Sequence, residues 1–182
     1  MKRPTASLSE AGGGIERVLA GGVTVASLVN SGGREIVGPG GVASAATISG
    51  GTLEIDDGGS TGSGAVTFAA SGGGILQLDA SIHFGGLVAG FGEPDFLDLR
   101  DIAFGSATTL SFTEAAGNTS GVLSVSDSVR TANITLLGQY AAGQFTTAND
   151  GHGGTLIGDP SPAAPTDPIL ASLAAVGSSG HA

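Results

Sequence analysis

Branched aliphatic residues and glycine pairs alternate through the first half of this chain with a regularity that neither a helix nor a linker produces. Up to residue 73, Gly-Gly pairs fall at 12–13, 21–22, 32–33, 40–41, 50–51, 58–59 and 72–73, separated by 7, 9, 6, 8, 6 and 12 residues. Taking every second pair gives steps of 20, 18 and 22 residues in one series and 19 and 18 in the other. A period near twenty with two turn points marks a coiled repeat architecture. Val18, Val37 and Ile55 each stand three positions before the next pair, and Val29 keeps that offset while Ile48 is off by one. As strands, these segments direct those residues inward at equivalent places in successive coils, and glycine serves the corners, where φ > 0 or close backbone approach is needed. The expectation is an all-β chain: a short right-handed parallel β-helix (β-solenoid) of three to four coils over residues 12–89, its coils stacked at the ~4.8 Å strand spacing.

The texture changes near Gly90. Phe96-Leu97-Asp98-Leu99 and Leu110-Ser111-Phe112 alternate as half-buried strands do. Val122–Val125 and Ala132–Leu136 flank a polar Asp127-Ser128 turn, and Gln144–Thr147 and Gly154–Ile157 flank Asn149–Gly153, which reads as two hairpins. Residues 90–158 are therefore expected to form about six short strands, as a sandwich-like module or as an irregular continuation that closes the open solenoid end. Residues 1–11 read as a lead, and Pro160, Pro162, Pro165 and Pro168 mark 159–182 as a disordered, flexible Pro-rich tail.

Composition narrows the alternatives. Glycine contributes 34 of 182 residues without a three-residue period, which removes collagen, and 40% hydrophobic residues argue against disorder. The net charge of −10 is uneven: residues 1–50 are nearly neutral, whereas thirteen acids follow residue 50 against only Arg100 and Arg130. Such a surface repels phosphate backbones, so nucleic acid is not an expected partner. Without cysteine there is neither a disulfide nor a thiolate metal site. No apolar run follows Met1-Lys2-Arg3-Pro4, so no secretory signal peptide is read here, and no stretch approaches the ~18 residues of a membrane helix.

The unit Gly-Gly, a few residues, Val, two residues, Gly-Gly resembles the strand-loop-strand repeat of bacterial autotransporter passengers of the diffuse-adherence adhesin type, over roughly residues 12–89. That resemblance implies a β-helix on the outer cell surface or outside the cell, used in adhesion or aggregation. It also implies heptose attachment at loop-facing hydroxyls, for which Ser27, Ser31, Thr47 and Ser49 are the comparable positions. The chain departs from the pattern in its few repeats, their drifting lengths and the lack of an outer-membrane barrel after them. Pro94–Leu99, Ile102–Phe104, Ala132–Ile134 and Asp150–Leu156 look like a segment that follows Gly-rich repeats in large secreted proteins of soil bacteria. This supports the same localisation and adds no activity.

Candidate chemistry is sparse. Asp95, Asp98, Asp101 and Asp150 are candidate calcium ligands, since the ion takes six to eight oxygens; the competing reading is solvated turn carboxylates. Glu54-Asp56-Asp57 is a further acid cluster at a turn edge. His83, His152 and His181 are isolated, and no His-x-x-x-His pair, Gly-x-Ser-x-Gly elbow, phosphate-binding loop or dinucleotide fingerprint occurs. A polysaccharide-active enzyme would need convergent acids in a groove. With one tyrosine, no tryptophan and few basic residues, the chain is poorly equipped for one. The expectation is a structural and adhesive segment, not an enzyme, without cofactor unless calcium binds, with a host or neighbouring-cell surface or a polysaccharide as partner. A calcium-stabilised module of a one-step secretion substrate is the alternative.

Overall fold

The computed structural model describes residues 9–10 and 13–158; the expected tail at 159–182, most of the lead and His181 lie outside them. The chain is an all-β solenoid of about four turns. Its strands are β1 (Ser9–Glu10), β2 (Ile15–Val18), β3 (Val23–Val25), β4 (Leu28–Asn30), β5 (Arg34–Val37), β6 (Val42–Ser44), β7 (Thr47–Ser49), β8 (Thr52–Ile55), β9 (Val66–Phe68), β10 (Gly74–Leu78), β11 (Leu87–Ala89) and β12 (Asp95–Ala103). Then come β13 (Thr109–Glu114), β14 (Ser120–Ser126), β15 (Thr131–Leu137), β16 (Thr146–Asn149) and β17 (Gly154–Gly158).

Two long sheets form the main faces. One stacks β2, β5, β8, β10 and β12 in parallel; the other stacks β1, β4, β7, β9, β11 and β15 in parallel. A third, short face consists of β3 and β6, prolonged by a bridge from Val42 to Ser60. The early coils are thus three-sided, where the glycine pattern predicts two turn points. The missed corner is turned by Ala26 and Ala45, at φ 53° and 55°. Alanine there gives no glycine signal, although it is as left-handed as the glycines.

The Gly-Gly corners divide two tasks between two residues. Gly40 has φ 74°, the left-handed region that disfavours a Cβ. Gly41 does not, but a Cβ on it would stand 2.4 Å from the Val18 carbonyl oxygen of the coil below. Gly41 N–H closes the turn on Gly38 O at 2.9 Å, and Gly40 N–H reaches Gly58 O in the next coil at 2.8 Å.

The inward columns follow the expected stacking. Val18, Val37, Ile55, Leu78 and Leu99 are register partners in succession, at steps of 19, 18, 23 and 21 residues, and all are buried. Ile48 pairs with Val29 despite its shifted offset, because the turn before Gly50 is one residue shorter. The neighbouring column begins with carboxylates, Glu16 and Glu35, before Leu53, Leu76 and Leu97. Glu35 is buried and accepts hydrogen bonds from Thr24 Oγ1 and Ser27 Oγ, both at 2.6 Å, which satisfies an otherwise costly inward charge.

From β12 onward the chain continues the same core and reverses the strand sense. β17 joins β12 antiparallel, β16 joins β17, and β15–β14–β13 extend the other sheet as an antiparallel meander. Both expected hairpins are present, and the strands of this segment extend the two solenoid sheets through the β11–β15 and β12–β17 pairings. Phe91, Phe112 and Phe145 pack ring on ring, with Phe145 6.4 Å from Phe91 and 5.5 Å from Phe112, and close the apolar interior at this end.

Truncating Leu76, fully buried in mid-stack, to alanine should cost about 2–5 kcal/mol, read as a lower urea midpoint. Gly41→Ala should destabilise comparably although its φ is not left-handed. A Gly41→Ala midpoint equal to wild type would contradict the close-approach explanation.

Candidate functional site

Alternation along each strand sends every second residue outward, and the two long faces differ in what they display. On the sheet containing β8, β10 and β12 the outward register row is Arg17, Ile36, Glu54, Gln77, Asp98 and Leu156. Glu54 is buried to 9% exposure, with Oε2 accepting from Arg34 Nε at 2.8 Å and Nη2 at 2.6 Å, and Oε1 accepting from Gln77 Nε2 at 3.1 Å. Gln77 Nε2 also donates to Asp79 Oδ1 at 2.9 Å. One carboxylate oxygen each of Glu54, Asp56 and Asp79 lies within 4.8 Å of the others. Burial, then Glu54 and Asp79, push the Asp56 carboxyl up. The crowding favours a proton or a cation.

Asp79 was not singled out from sequence, because it enters the trio only through the 23-residue step that stacks β10 on β8. Asp57 does not join the trio; it faces His83 Nδ1 at 3.3 Å on the exposed rim. Beside Asp56 and His83 opens a cleft of about 280 Å³, walled by these two residues, Leu78, Phe84 and the glycine-rich backbone of 58–62.

The four calcium candidates separate into different tasks. Asp95 Oδ2 accepts from Gly92 N at 3.1 Å, and Asp101 accepts from Ser81 N and Oγ and from Ile82 N, holding the 3-10 turn at Ser81–His83. Asp98 and Asp150 do come together: Arg100 Nη1 lies 3.7 Å from Asp98 Oδ2 and 3.4 Å from Asp150 Oδ2. His152 Nδ1 is 3.0 Å from the same nitrogen. Burial pushes Asp98 up to about 6; Arg100 opposes this and Asp150 adds to it. Burial acts on Asp150 in the same sense, yet the N–H groups of His152 and Gly154 and the Arg100 charge hold it below its ordinary value.

Asp127 is a carboxylate that sequence reasoning placed only in a turn. It accepts from Ala103 N at 3.0 Å, Val129 N at 2.8 Å and Arg130 N at 2.7 Å, and these bonds lower its pKa. It pins the β14–β15 turn to the end of β12.

On the other long sheet the outward register rows carry no charged residue among those described; Glu10 and Glu114 fall in its inward rows, in register with Val29 and with Gly121 and Leu136. Its outward rows are Leu28, Thr47, Thr67, Ala89, Leu137 and Ser120; Leu87, Thr135, Val122 and Thr113; Asn133, Ser124 and Ser111; and Thr131, Ser126 and Thr109. Of the hydroxyls considered for sugar attachment, Thr47 and Ser49 lie half-buried on this face and Ser31 is exposed at a corner. Ser27 is removed from that set: it is 2% exposed and donates inward to Glu35.

Among the described residues, no helix is long and apolar enough to cross a membrane. No protein-family model, curated protein or solved structure matches the chain.

Because the folded-state pKa of Asp98 lies above that of the unfolded chain, the stability its proton confers is complete below about pH 4. It is lost as the pH rises through about 6. A shift of that size corresponds to at most about 3 kcal/mol. Asp98→Asn should therefore be more stable than wild type at pH 7.5 in chelator, with the difference vanishing near pH 4. Urea unfolding at the two pH values checks this, and parallel behaviour of the two proteins would refute the assignment.

Proposed function

We propose that this chain is a structural and adhesive segment of a secreted or surface-exposed bacterial repeat protein, akin to an autotransporter passenger and without a catalytic role. The observation that carries this reading is the uncharged, Ser/Thr-rich outer face that runs from Leu28 to Thr113 on a chain of net charge −10. Inter-coil hydrogen bonds hold the hydroxyls in rows ~4.8 Å apart. The outward carboxylates sit on the other long face and at loops. A neutral hydroxyl array suits an uncharged, repetitive partner such as a polysaccharide or a glycan-covered cell surface. Many weak contacts in fixed register add through effective concentration rather than through one deep pocket. Sugars attached at Ser31, Thr47 or Ser49 would extend the same display.

A second reading, a calcium-stabilised module of a secreted protein, is favoured by the convergence of Glu54, Asp56 and Asp79. It differs from the first in requiring the ion for full stability, which thermal unfolding with calcium and with chelator distinguishes.

For the first reading, beads coated with the protein should adhere to bacterial cells or to neutral polysaccharide films. The double substitution Thr47→Lys and Thr135→Lys, which charges the face without touching the core, should lower adhesion at least about threefold through desolvation of the new charges. Its melting temperature should stay within a few degrees of wild type. Undiminished adhesion by a folded double variant would rule out this face as the contact surface.

A further inference from the structure

We propose that Asp98, Asp150 and the Leu99 carbonyl form an oxygen-ligand site for a divalent cation of the calcium or magnesium class, which ties the 150–153 loop to β12. Asp98 is only 7% exposed, and its Oδ1 is buried without any hydrogen-bond partner among the described residues. Asp150 is oriented by its loop: Oδ1 accepts from His152 N at 2.6 Å and Gly154 N at 2.8 Å. That leaves Oδ2, also buried and accepting no hydrogen bond, turned toward β12. Asp150 Oδ2 and Leu99 O converge over Gly154, 2.6 and 2.9 Å from the place a Cβ would occupy. Only glycine leaves that space to the oxygens.

The charge balance points the same way. Two buried carboxylates share one guanidinium: Arg100 Nη1 forms ion pairs with Asp98 at 3.7 Å and Asp150 at 3.4 Å while lying 3.0 Å from His152 Nδ1. Asp79 raises the negative field from the adjacent strand. With Asp150 matched to Arg100, the buried Asp98 carboxylate is left without a full counter-charge of its own. Arg100 is about a third exposed and has solvent to swing into, so it acts as a resident positive charge that a small hard cation displaces. Carboxylate and carbonyl oxygens are the ligands such cations take, with water completing the shell. Fixing Asp150 Oδ1 by two N–H donors supplies the outer support that orients a ligating carboxylate.

This site is distinct from the Glu54–Asp56–Asp79 trio and does not depend on the adhesive reading. The test is thermal unfolding of the full chain at pH 7.5 in chelator, in calcium chloride and in magnesium chloride, with calorimetric titration of the same metals. Wild type should gain roughly 5 °C or more near a hundredfold excess over Kd. Asp98→Asn should fold and lose the gain, Asp79→Asn should keep it, and Arg100→Gln should bind at least about threefold more tightly. A gain lost in Asp79→Asn but kept in Asp98→Asn would overturn this site and move the ion to the trio. No gain with either metal would overturn both cation sites and leave the adhesive proposal untouched. Were wild-type stability to depend on pH but not on metal, the missing positive charge would be a proton and the cation proposal would fall.

Discussion

Each coil of this protein must return one strand spacing above its start, with its inward side chains over those of the coil below. Everything else follows from that register. The ladder bonds β2 to β5, β5 to β8, β8 to β10 and β10 to β12 without a break, and an apolar column is continuous only if corners consume or release residues without shifting it. The corners therefore vary in length and chemistry while the strands keep their phase. The 23-residue step between Ile55 and Leu78 is absorbed entirely in the loops after Gly58 and before Gly74.

Much of this was legible in the sequence because register leaves a fixed mark: Val18, Val37 and Ile55 sit at one offset from their glycine pairs and stack as that offset requires. The third corner was not legible, because Ala26 and Ala45 reach the left-handed region under tertiary constraint and not by intrinsic preference. The site residues divide on the same principle. Local turn acids could be read as turn acids, as Asp127 was. The meeting of Asp98 with Asp150, and of Asp79 with Glu54, depends on which strand lies beside which, and spacing along the chain carries no trace of it. Ser27 was misplaced as a loop-facing hydroxyl because its inward partner, Glu35, belongs to a column that is aliphatic from Leu53 onward.

Charge is partitioned by face as strictly as apolarity is partitioned by depth. One long face carries Arg17, Arg34, Glu54, Asp56, Asp79, Asp98 and Arg100, while the other carries hydroxyls, amides and a few aliphatics. Like charges then accumulate in register on the first face, and they add to burial, the larger cause, in raising the pKa values of Asp56 and Asp98. The second face is left flat and electrically quiet.

The reversal of strand sense after β12 gives the stack a direction. Below that strand, all pairings in the β2-to-β12 stack are parallel, so a coil inserted between two existing ones meets the same ladder on both sides. Above it, β17 presents an antiparallel ladder with a bulge between Leu99 and Ala103, and another parallel coil finds no matching register. Length in this architecture can therefore be varied by duplication inside the repeat block, while the terminal hairpins stay in place as a fixed stopper.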